Sequence, residues 1–220
     1  RMISARALGV DVAGITINRY CASGLESIAM ATAKIRSGMA DCIIAGGTES
    51  MSLVPTAGWK TVPSYEIANN DPDYYLSMGL TAEAVAKEYT ISRADQDAFA
   101  YASHQKAMTA QQENYFKDGI LPITVEEVYV NEKGKKATRS YVVDSDDGVR
   151  ADTSIEALAK LKPAFAVDGS VTAGNSSQTS DGAAFVVVMS EKMMLELGLV
   201  PIGRLVNVAV AGVHPRIMGI

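Results

Sequence analysis

The order of secondary-structure signals in residues 1–51 is the feature that most limits what this chain can fold into. A short β-branched run at 15–17 predicts a strand, and apolar residues then recur at the spacing of one helix face. A uniformly apolar run follows at 42–45, a pattern typical of a buried parallel strand. Strand, helix and strand in succession predict an α/β protein, in which Cys42 is a core residue.

Cys21 lies where the strand signal stops and the helix signal starts. Ser23 and Glu26 have the spacing of a capping box, which predicts that the helix begins directly after the cysteine and ends near Gly38. The unpaired N–H groups and the dipole at a helix N-terminus favour a thiolate, which is the nucleophilic form of cysteine. Position alone leaves two interpretations open: Cys21 is a reactive thiol, or it is a small buried apolar residue.

Composition and charge limit the class of protein. The chain has 220 residues, of which 48% are hydrophobic, so it can bury a substantial core. Its net charge of −5 argues against a nucleic-acid partner but allows a polyanionic cofactor bound by a few local cations. The longest apolar run, 183–189, is far shorter than the roughly 20 residues that span a bilayer, so no membrane segment is expected. Two cysteines without a Cys-x-x-Cys pair fit a reducing compartment better than a disulfide framework or a zinc site.

A change in composition after residue 52 predicts an inserted lobe, which opens with a stretch rich in Pro, Asn, Asp and Tyr. Beyond it the patterns predict helices at 80–89, 93–116 and 190–197 and strands at 123–130, 139–143, 183–189 and 205–210. His104 falls in the second of these helices and is expected to be a solvated helix residue. The acidic stretch at 144–148 departs from the calcium-loop pattern at the glycine and at the twelfth position, so we expect no metal site.

Five segments match the motifs of one enzyme family, in that family's order. They are 17–28 (INRYCASGLESI), 38–51 (GMADCIIAGGTESM), 78–83 (MGLTAE), 161–177 (LKPAF, then VTAGNSS) and 212–219 (GVHPRIMG). Together they resemble the thiolases, and the resemblance covers essentially the whole chain. It implies an α/β thiolase fold with five layers, αβαβα, which is incomplete in this chain and carries an inserted loop domain.

The resemblance also implies a division into domains. Residues 1–51 are part of the thiolase N-terminal domain with the nucleophile turn, 52–178 the inserted loop domain that binds coenzyme A, 179–198 the return strand and helix of the N-terminal domain, and 199–220 the beginning of the C-terminal domain. The histidine, asparagine and second cysteine of the family's second half have no counterpart, and His214 is expected to be a loop residue. We therefore expect an internal fragment of a longer enzyme, inactive alone, with open apolar surface that makes it unstable or self-associating.

Site residues follow from the same resemblance. Cys21 is the nucleophile that attacks the 3-keto carbon of a 3-ketoacyl-CoA and passes the acyl group, as a thioester, to coenzyme A. The resemblance places the cofactor-binding residues Arg150 at the adenine and Ala173 and Ser177 at the pantetheine arm, and it places Met78 and Met218 in the acyl pocket. Without it, the arginine is a surface residue beside an acidic loop, 174–182 is a polar connector and the methionines are core residues. Coenzyme A is a co-substrate; no permanently bound cofactor and no metal is implied.

Several functions share these motifs. The segment Leu76-Ser77-Met78-Gly79 lacks the histidine that precedes this methionine in many biosynthetic members, which favours a 3-ketoacyl-CoA thiolase of fatty acid β-oxidation. The alternatives are a biosynthetic acetoacetyl-CoA thiolase (acetyl-CoA acetyltransferase), a decarboxylating ketoacyl synthase of the same fold, and a truncated, non-catalytic thiolase-like binding subunit. The expected partners are acyl-CoA and CoA, with assembly as a homodimer or homotetramer. The expected compartment is cytoplasmic in a bacterium and mitochondrial or peroxisomal in a eukaryote.

Overall fold

The computed structural model describes residues 1–220, which form two compact units. Unit 1 comprises Arg1–Val62 and Thr179–Gly212, and unit 2 comprises Pro63–Gln178 and Val213–Ile220. The elements in chain order are α1 (Met2–Leu8), α2 (Ser23–Arg36), β1 (Cys42–Glu49), α3 (Tyr65–Asn70), α4 (Met78–Glu88), α5 (Arg93–Gln112), β2 (Ile123–Val130), β3 (Lys136–Val143), α6 (Ile155–Ala159), β4 (Gly182–Met189) and α7 (Glu191–Glu196), with 3-10 turns at Pro72–Tyr75, Lys117–Gly119 and Pro215–Ile217. None of the helices has the length and apolar character needed to cross a membrane.

Unit 1 is built on a two-stranded sheet covered by α2. Strand β1 pairs with β4 in antiparallel register, with Cys42 opposite Met189 and Glu49 opposite Gly182. Ala31 of α2 and Ala45 of β1 are buried where the helix packs on the sheet. The prediction of a parallel strand is wrong, because an apolar run indicates burial but does not specify the direction of the partner strand. Cys42 is exposed, so its prediction as a core residue is also wrong.

Two predicted strands of unit 1 do not form. Residues 15–17 and 205–210 lie outside every strand of the structure. In the second run, the carbonyls of Leu205 and Val206 accept hydrogen bonds from the Arg36 guanidinium, at 3.1 and 3.5 Å, instead of pairing with a strand. A β-branched run becomes a strand only where a neighbour takes up its backbone hydrogen bonds, and sequence alone does not supply that neighbour.

Unit 2 follows the sequence patterns more closely. Helices α4 and α5 and the hairpin β2–β3 lie where they are predicted, although α5 ends four residues early, before Asn114 adopts a left-handed conformation with φ 57°. A capping box opens α5, since the Ser92 side chain accepts from the Asp95 N–H and the Asp95 carboxylate accepts from the Ser92 N–H. In the hairpin turn, the Asn131 side chain accepts from two backbone N–H groups, which fixes the register.

Candidate active site

The turn that carries Cys21 is closed by short-range hydrogen bonds. Asn18 Oδ1 accepts from the Tyr20 N–H at 2.8 Å. Ser23 Oγ accepts from the Arg19 N–H at 2.8 Å and donates to the Tyr20 carbonyl at 2.7 Å. These bonds hold Tyr20 at φ 46°, a left-handed conformation that is unusual for an aromatic residue. The chain therefore turns sharply just before the cysteine, and Cys21 is exposed two residues before α2 begins.

The predicted capping box of α2 is wrong, although the helix starts where expected. Its N-cap is Ala22, which has no side chain able to accept from the helix, and Ser23 is used in the preceding turn. Glu26 pairs instead with Arg19, with 2.8 Å between Oε2 and Nε. Serine in such a motif can bond to the turn before it as well as to the helix after it, and spacing does not distinguish the two.

A second contact in unit 1 joins the residues after β1 to those before β4. The backbone N–H of Ser52 donates to Asp181 Oδ1 at 2.9 Å, and the Ser52 hydroxyl donates to Oδ2 of the same carboxylate. These hydrogen bonds, above all the one from the hydroxyl, lower the pKa of Asp181 below its ordinary value. The contact thus ties the end of the β1–β4 ladder at which Glu49 pairs with Gly182.

The proposed pocket residues Met78 and Met218 lie in unit 2, on elements that touch. Met78 is the first residue of α4, and Met218 follows the turn Pro215–Ile217, which packs against that helix. A Cβ at Gly219 would lie 3.8 Å from the Val85 side chain, so the C-terminal residues run along α4. Both methionine side chains are about half exposed. The role of the two methionines in an acyl pocket stays a prediction.

The proposed pantetheine residues lie on one segment of unit 2, residues 170–177, which is called the pantetheine segment after that proposed role. Ala173 and Ser177 are both exposed, whereas their neighbour Thr172 is completely buried. The Ser177 hydroxyl donates to the Gln178 carbonyl at 3.1 Å. An exposed hydroxyl with a single backbone partner can exchange that partner for an amide of a ligand.

Arg150 is exposed, and its side chain pairs only with Asp152, at 3.4 Å. This contact lowers the pKa of the Asp152 carboxyl. The backbone N–H of Arg150 donates to His104 Nδ1 at 3.2 Å, so His104 is half-buried and bonded, not the solvated helix residue predicted. A guanidinium held by one exposed carboxylate remains available to stack on a purine or to bond phosphate.

Sequence patterns missed the residues that hold the pantetheine segment, chiefly Glu83, Asp97 and Asn175. No local pattern singles these three residues out, because polar residues of helices and loops are usually exposed. Cys21 lies in unit 1, and the other five proposed site residues lie in unit 2. No group of three or more His, Cys, Asp or Glu side chains has the geometry to hold a metal ion.

Comparison with known proteins decides the family. The family model described as thiolase, N-terminal domain, matches residues 2–192. This chain belongs to the thiolase family. It is 52% identical to the 3-ketoacyl-CoA thiolase of Bacillus subtilis, covering all of this chain and 56% of that protein, and 46% identical to the human peroxisomal 3-ketoacyl-CoA thiolase, covering 93% and 48%. It is 41% identical to the acetyl-CoA acetyltransferase of Shinella zoogloeoides, covering 92% and 52%.

Solved thiolase structures agree with the fold. The dimeric peroxisomal thiolase of Saccharomyces cerevisiae superposes with a TM-score of 0.80 at 37% identity, covering 93% of this chain and 50% of that one. The acetyl-CoA acetyltransferase of Bacillus anthracis gives the same TM-score at 38% identity, covering 99% and 55%. The α/β thiolase fold predicted from the sequence is therefore confirmed, and the chain spans about half the length of the curated relatives it matches.

Proposed function

We propose that the whole protein is a 3-ketoacyl-CoA thiolase, which converts a 3-ketoacyl-CoA and CoA into a shortened acyl-CoA and acetyl-CoA. The observation that carries this proposal is the exposed thiol of Cys21 at the start of α2, in a thiolase chain. The names of the relatives with 52% and 46% identity support the degradative type. The chemistry belongs to fatty acid β-oxidation.

The reaction balances around Cys21. Its thiolate adds to the C3 carbonyl, the C2–C3 bond breaks, and the two-carbon piece leaves as acetyl-CoA after taking up a proton. The acyl group remains on Cys21 as a thioester until the thiol of CoA attacks it. CoA then takes the acyl group, Cys21 leaves as the thiolate, and the proton of the CoA thiol passes to the enzyme. The family resemblance assigns the base and the proton shuttle to a histidine and a second cysteine in the second half of the family's sequence.

Unit 2 supplies the binding residues in this proposal. Arg150 lies against the adenine of coenzyme A, Ala173 and Ser177 contact the pantetheine arm, and Met78 and Met218 line the acyl pocket. Their exposure supports these roles, because side chains that bind a ligand must be reachable before it arrives. Methionine suits an acyl chain because its thioether is flexible and apolar.

Acetyl-CoA acetyltransferase is the second candidate. Relatives of that name are 41% and 43% identical, from Shinella zoogloeoides and Pseudomonas aeruginosa, and a solved structure of that name superposes as well as the peroxisomal thiolase. The two candidates use the same nucleophile and differ in the acyl chain they accept. A non-catalytic, thiolase-like binding subunit is the third outcome, in which CoA binds and no acyl group is transferred.

The test is acylation of the whole protein, followed by intact mass. We expect 3-ketooctanoyl-CoA to leave an acyl adduct on the parent protein and none on Cys21→Ala. Cys42→Ala is the matched control, because Cys42 is also an exposed thiol of unit 1, and it should keep the adduct. A stable adduct on Cys21→Ala would refute the nucleophile. Reaction with acetoacetyl-CoA alone would favour the acetyltransferase, and CoA binding without any adduct would favour the binding subunit.

Assembly and compartment are part of the same proposal. The solved yeast relative is described as dimeric, which supports a homodimer, with a homotetramer as the alternative. Light scattering on the whole protein distinguishes the two. Bacterial and peroxisomal relatives fit a cytoplasmic location in a bacterium and a peroxisomal or mitochondrial one in a eukaryote.

A further inference from the structure

Two carboxylates, from neighbouring helices of unit 2, hold the segment that leads to Ala173. Glu83 of α4 accepts from the backbone N–H of Ser170 at 2.9 Å and from that of Val171 at 2.9 Å. Asp97 of α5 is only 3% exposed. A carboxylate this deeply buried is stable only when its oxygens are hydrogen-bonded, so its partners must be accounted for.

Asp97 joins three parts of unit 2. Its Oδ2 lies 2.8 Å from Arg93 Nε, and Arg93 Nη2 donates to the carbonyls of Leu158 and Leu161, at 2.7 and 3.0 Å. Its Oδ1 accepts from Asn175 Nδ2 at 2.9 Å. One buried charge therefore links α5, the end of α6 and the pantetheine segment.

The side-chain amide of Asn175 makes three hydrogen bonds. Its Nδ2 donates to Asp97 and also to the Ser170 carbonyl, at 3.1 Å, while its Oδ1 accepts from the Thr172 N–H at 2.7 Å. This pattern needs two donors and an acceptor on one short side chain. Among side chains of this size only the amide supplies it, because a carboxylate has no donor.

The result is a turn that is held by hydrogen bonds on its buried side and is exposed on its other side. The Thr172 carbonyl accepts from the Ser176 hydroxyl at 2.6 Å, and the Thr172 Oγ1 accepts from the Gly174 N–H at 3.2 Å. A Cβ at Gly174 would lie 2.5 Å from Leu158 Cδ2, so a side chain there would require the leucine side chain to shift. Ala173, between two residues held in this way, is exposed.

We propose that Asp97 and Asn175 are positioning residues for the pantetheine arm of coenzyme A. The inference rests on the proposed function, in which Ala173 and Ser177 bind that arm. Asp97 acts through Asn175, which sets the backbone from Ser170 to Gly174 before the ligand arrives. A segment that is ordered in advance loses less conformational freedom on binding, so the ligand binds more tightly.

The test is a KM and kcat comparison on the whole protein with Asn175→Asp. This change keeps the shape of the side chain but replaces the NH2 group, which donates both hydrogen bonds, with a carboxylate oxygen that faces Asp97. Loss of hydrogen bonds to a charged group predicts a KM for acyl-CoA about tenfold higher, with kcat changed much less. The same factor is expected for an acyl-pantetheine thioester, which lacks the nucleotide. Arg150→Ala, in contrast, should raise the KM for acyl-CoA and leave the KM for the acyl-pantetheine thioester unchanged.

Asn131→Asp is the matched control, because it makes the same chemical change in the hairpin turn of the same unit. Its Oδ1 only accepts hydrogen bonds, from Lys133 and Lys135, so both survive and KM should not change. The combined Asp97→Asn and Asn175→Asp variant restores an amide next to a carboxylate with the roles exchanged. It should reverse part of the rise in KM, which a general loss of stability would not do.

Thermal melting shows whether each variant is folded. Should Asn175→Asp fail to fold, Asp97→Asn allows the same comparison, because it keeps Asn175 and weakens its contact, together with the ion pair between Arg93 and residue 97. A folded Asn175→Asp with parental KM for both substrates, beside an active parent, would overturn the positioning inference and leave the proposed function intact. A parent that neither binds CoA nor transfers an acyl group would overturn both.

Discussion

The Cys21 turn of unit 1 and the pantetheine segment of unit 2 are held in different ways. The bonds around Cys21 join residues within 18–26, so a few neighbouring side chains shape the turn. The hydrogen bonds around Ala173 join the pantetheine segment to Glu83 and Asp97, on helices that are far away in the sequence. The proposed nucleophile is thus placed by local sequence, whereas the proposed binding segment is placed by buried polar contacts.

The two units also differ in how they cover apolar groups. On β4 of unit 1, the side chains of Phe185 and Val187 are 51% and 57% exposed, although both belong to a strand of almost entirely apolar residues. In unit 2, Leu158 and Val171 are buried around the polar contacts described above. Unit 1 depends on close backbone packing between its two strands, and unit 2 on hydrogen bonds between helices and one segment.

The largest effect is expected from Gly46→Ala in β1. A Cβ at Gly46 would lie 2.7 Å from the Cα of Phe185 and would overlap the Ala184 carbonyl, and strand backbone cannot move aside without breaking the ladder. Overpacking of this kind costs about 3 kcal/mol of unfolding free energy. Urea denaturation followed by circular dichroism measures it.

Gly47→Ala is the control for that change. It is the next residue of the strand, and a Cβ there meets nothing within 4 Å. We expect the free energy of unfolding to stay the same or to rise by about 0.5 kcal/mol, because alanine restricts the unfolded chain. Equal destabilisation by the two substitutions would show that close approach of the strands does not hold unit 1 together.

The next effect is expected from Asp97→Ala in unit 2. The substitution leaves the Asn175 amide without its acceptor and Arg93 without its charge partner, and breaking such a buried pair costs about 3 kcal/mol. Glu127→Ala removes the ion pair with Arg139 on the exposed hairpin and should not change the midpoint measurably. If both variants denature at the same urea concentration, burial does not distinguish these pairs.

A smaller effect of opposite sign is expected from Thr81→Val in α4. The Thr81 hydroxyl is buried without a hydrogen-bond partner, so replacing it with a methyl group should stabilise unit 2 by about 1 kcal/mol. Thr172→Val is the matched change, because that hydroxyl accepts from Gly174, and it should destabilise by a similar amount. Thermal melts that shift in the same direction for both variants would contradict this account.

The smallest effect is a pH dependence at Asp181 in unit 1. Since its pKa is lower in the folded chain, the contact with Ser52 stabilises fully above the ordinary carboxyl pKa of about 3.9 and is lost as pH falls through the folded value. Ser52→Ala should raise the pKa of Asp181 towards that ordinary value. An NMR titration of the carboxyl carbon measures it, and an unchanged pKa would rule out the hydroxyl as the cause.

The sequence could predict the parts of the fold that depend on local patterns, but not those that depend on tertiary partners. Helices α2, α4 and α5, the hairpin and strand β4 have repeating patterns or caps of their own, and they form where predicted. The direction of β1, the exposure of Cys42 and the absence of strands at 15–17 and 205–210 depend on which partners are present, and no local pattern contains that information.

The candidate site divides in the same way. The family motif and the start of α2 both point to Cys21, because the residues that shape its turn are adjacent in sequence. The supporting residues Glu83, Asp97 and Asn175 resemble ordinary polar residues of two helices and a loop until the structure brings them together. Their importance is a tertiary property, and pattern reasoning on one sequence does not reach it.

The β1–β4 ladder also has a consequence for the order of folding. Pairing Glu49 with Gly182 closes a loop made of residues 50–181, most of the chain, and the entropic cost of closing a loop rises with its length. The helices and the hairpin of unit 2 form contacts over much shorter separations, so they can form while the two strands are still apart. The sheet on which α2 packs is then completed late, after the intervening chain has become compact. Pulsed hydrogen exchange would register this as protection of the hairpin amides before those of β1.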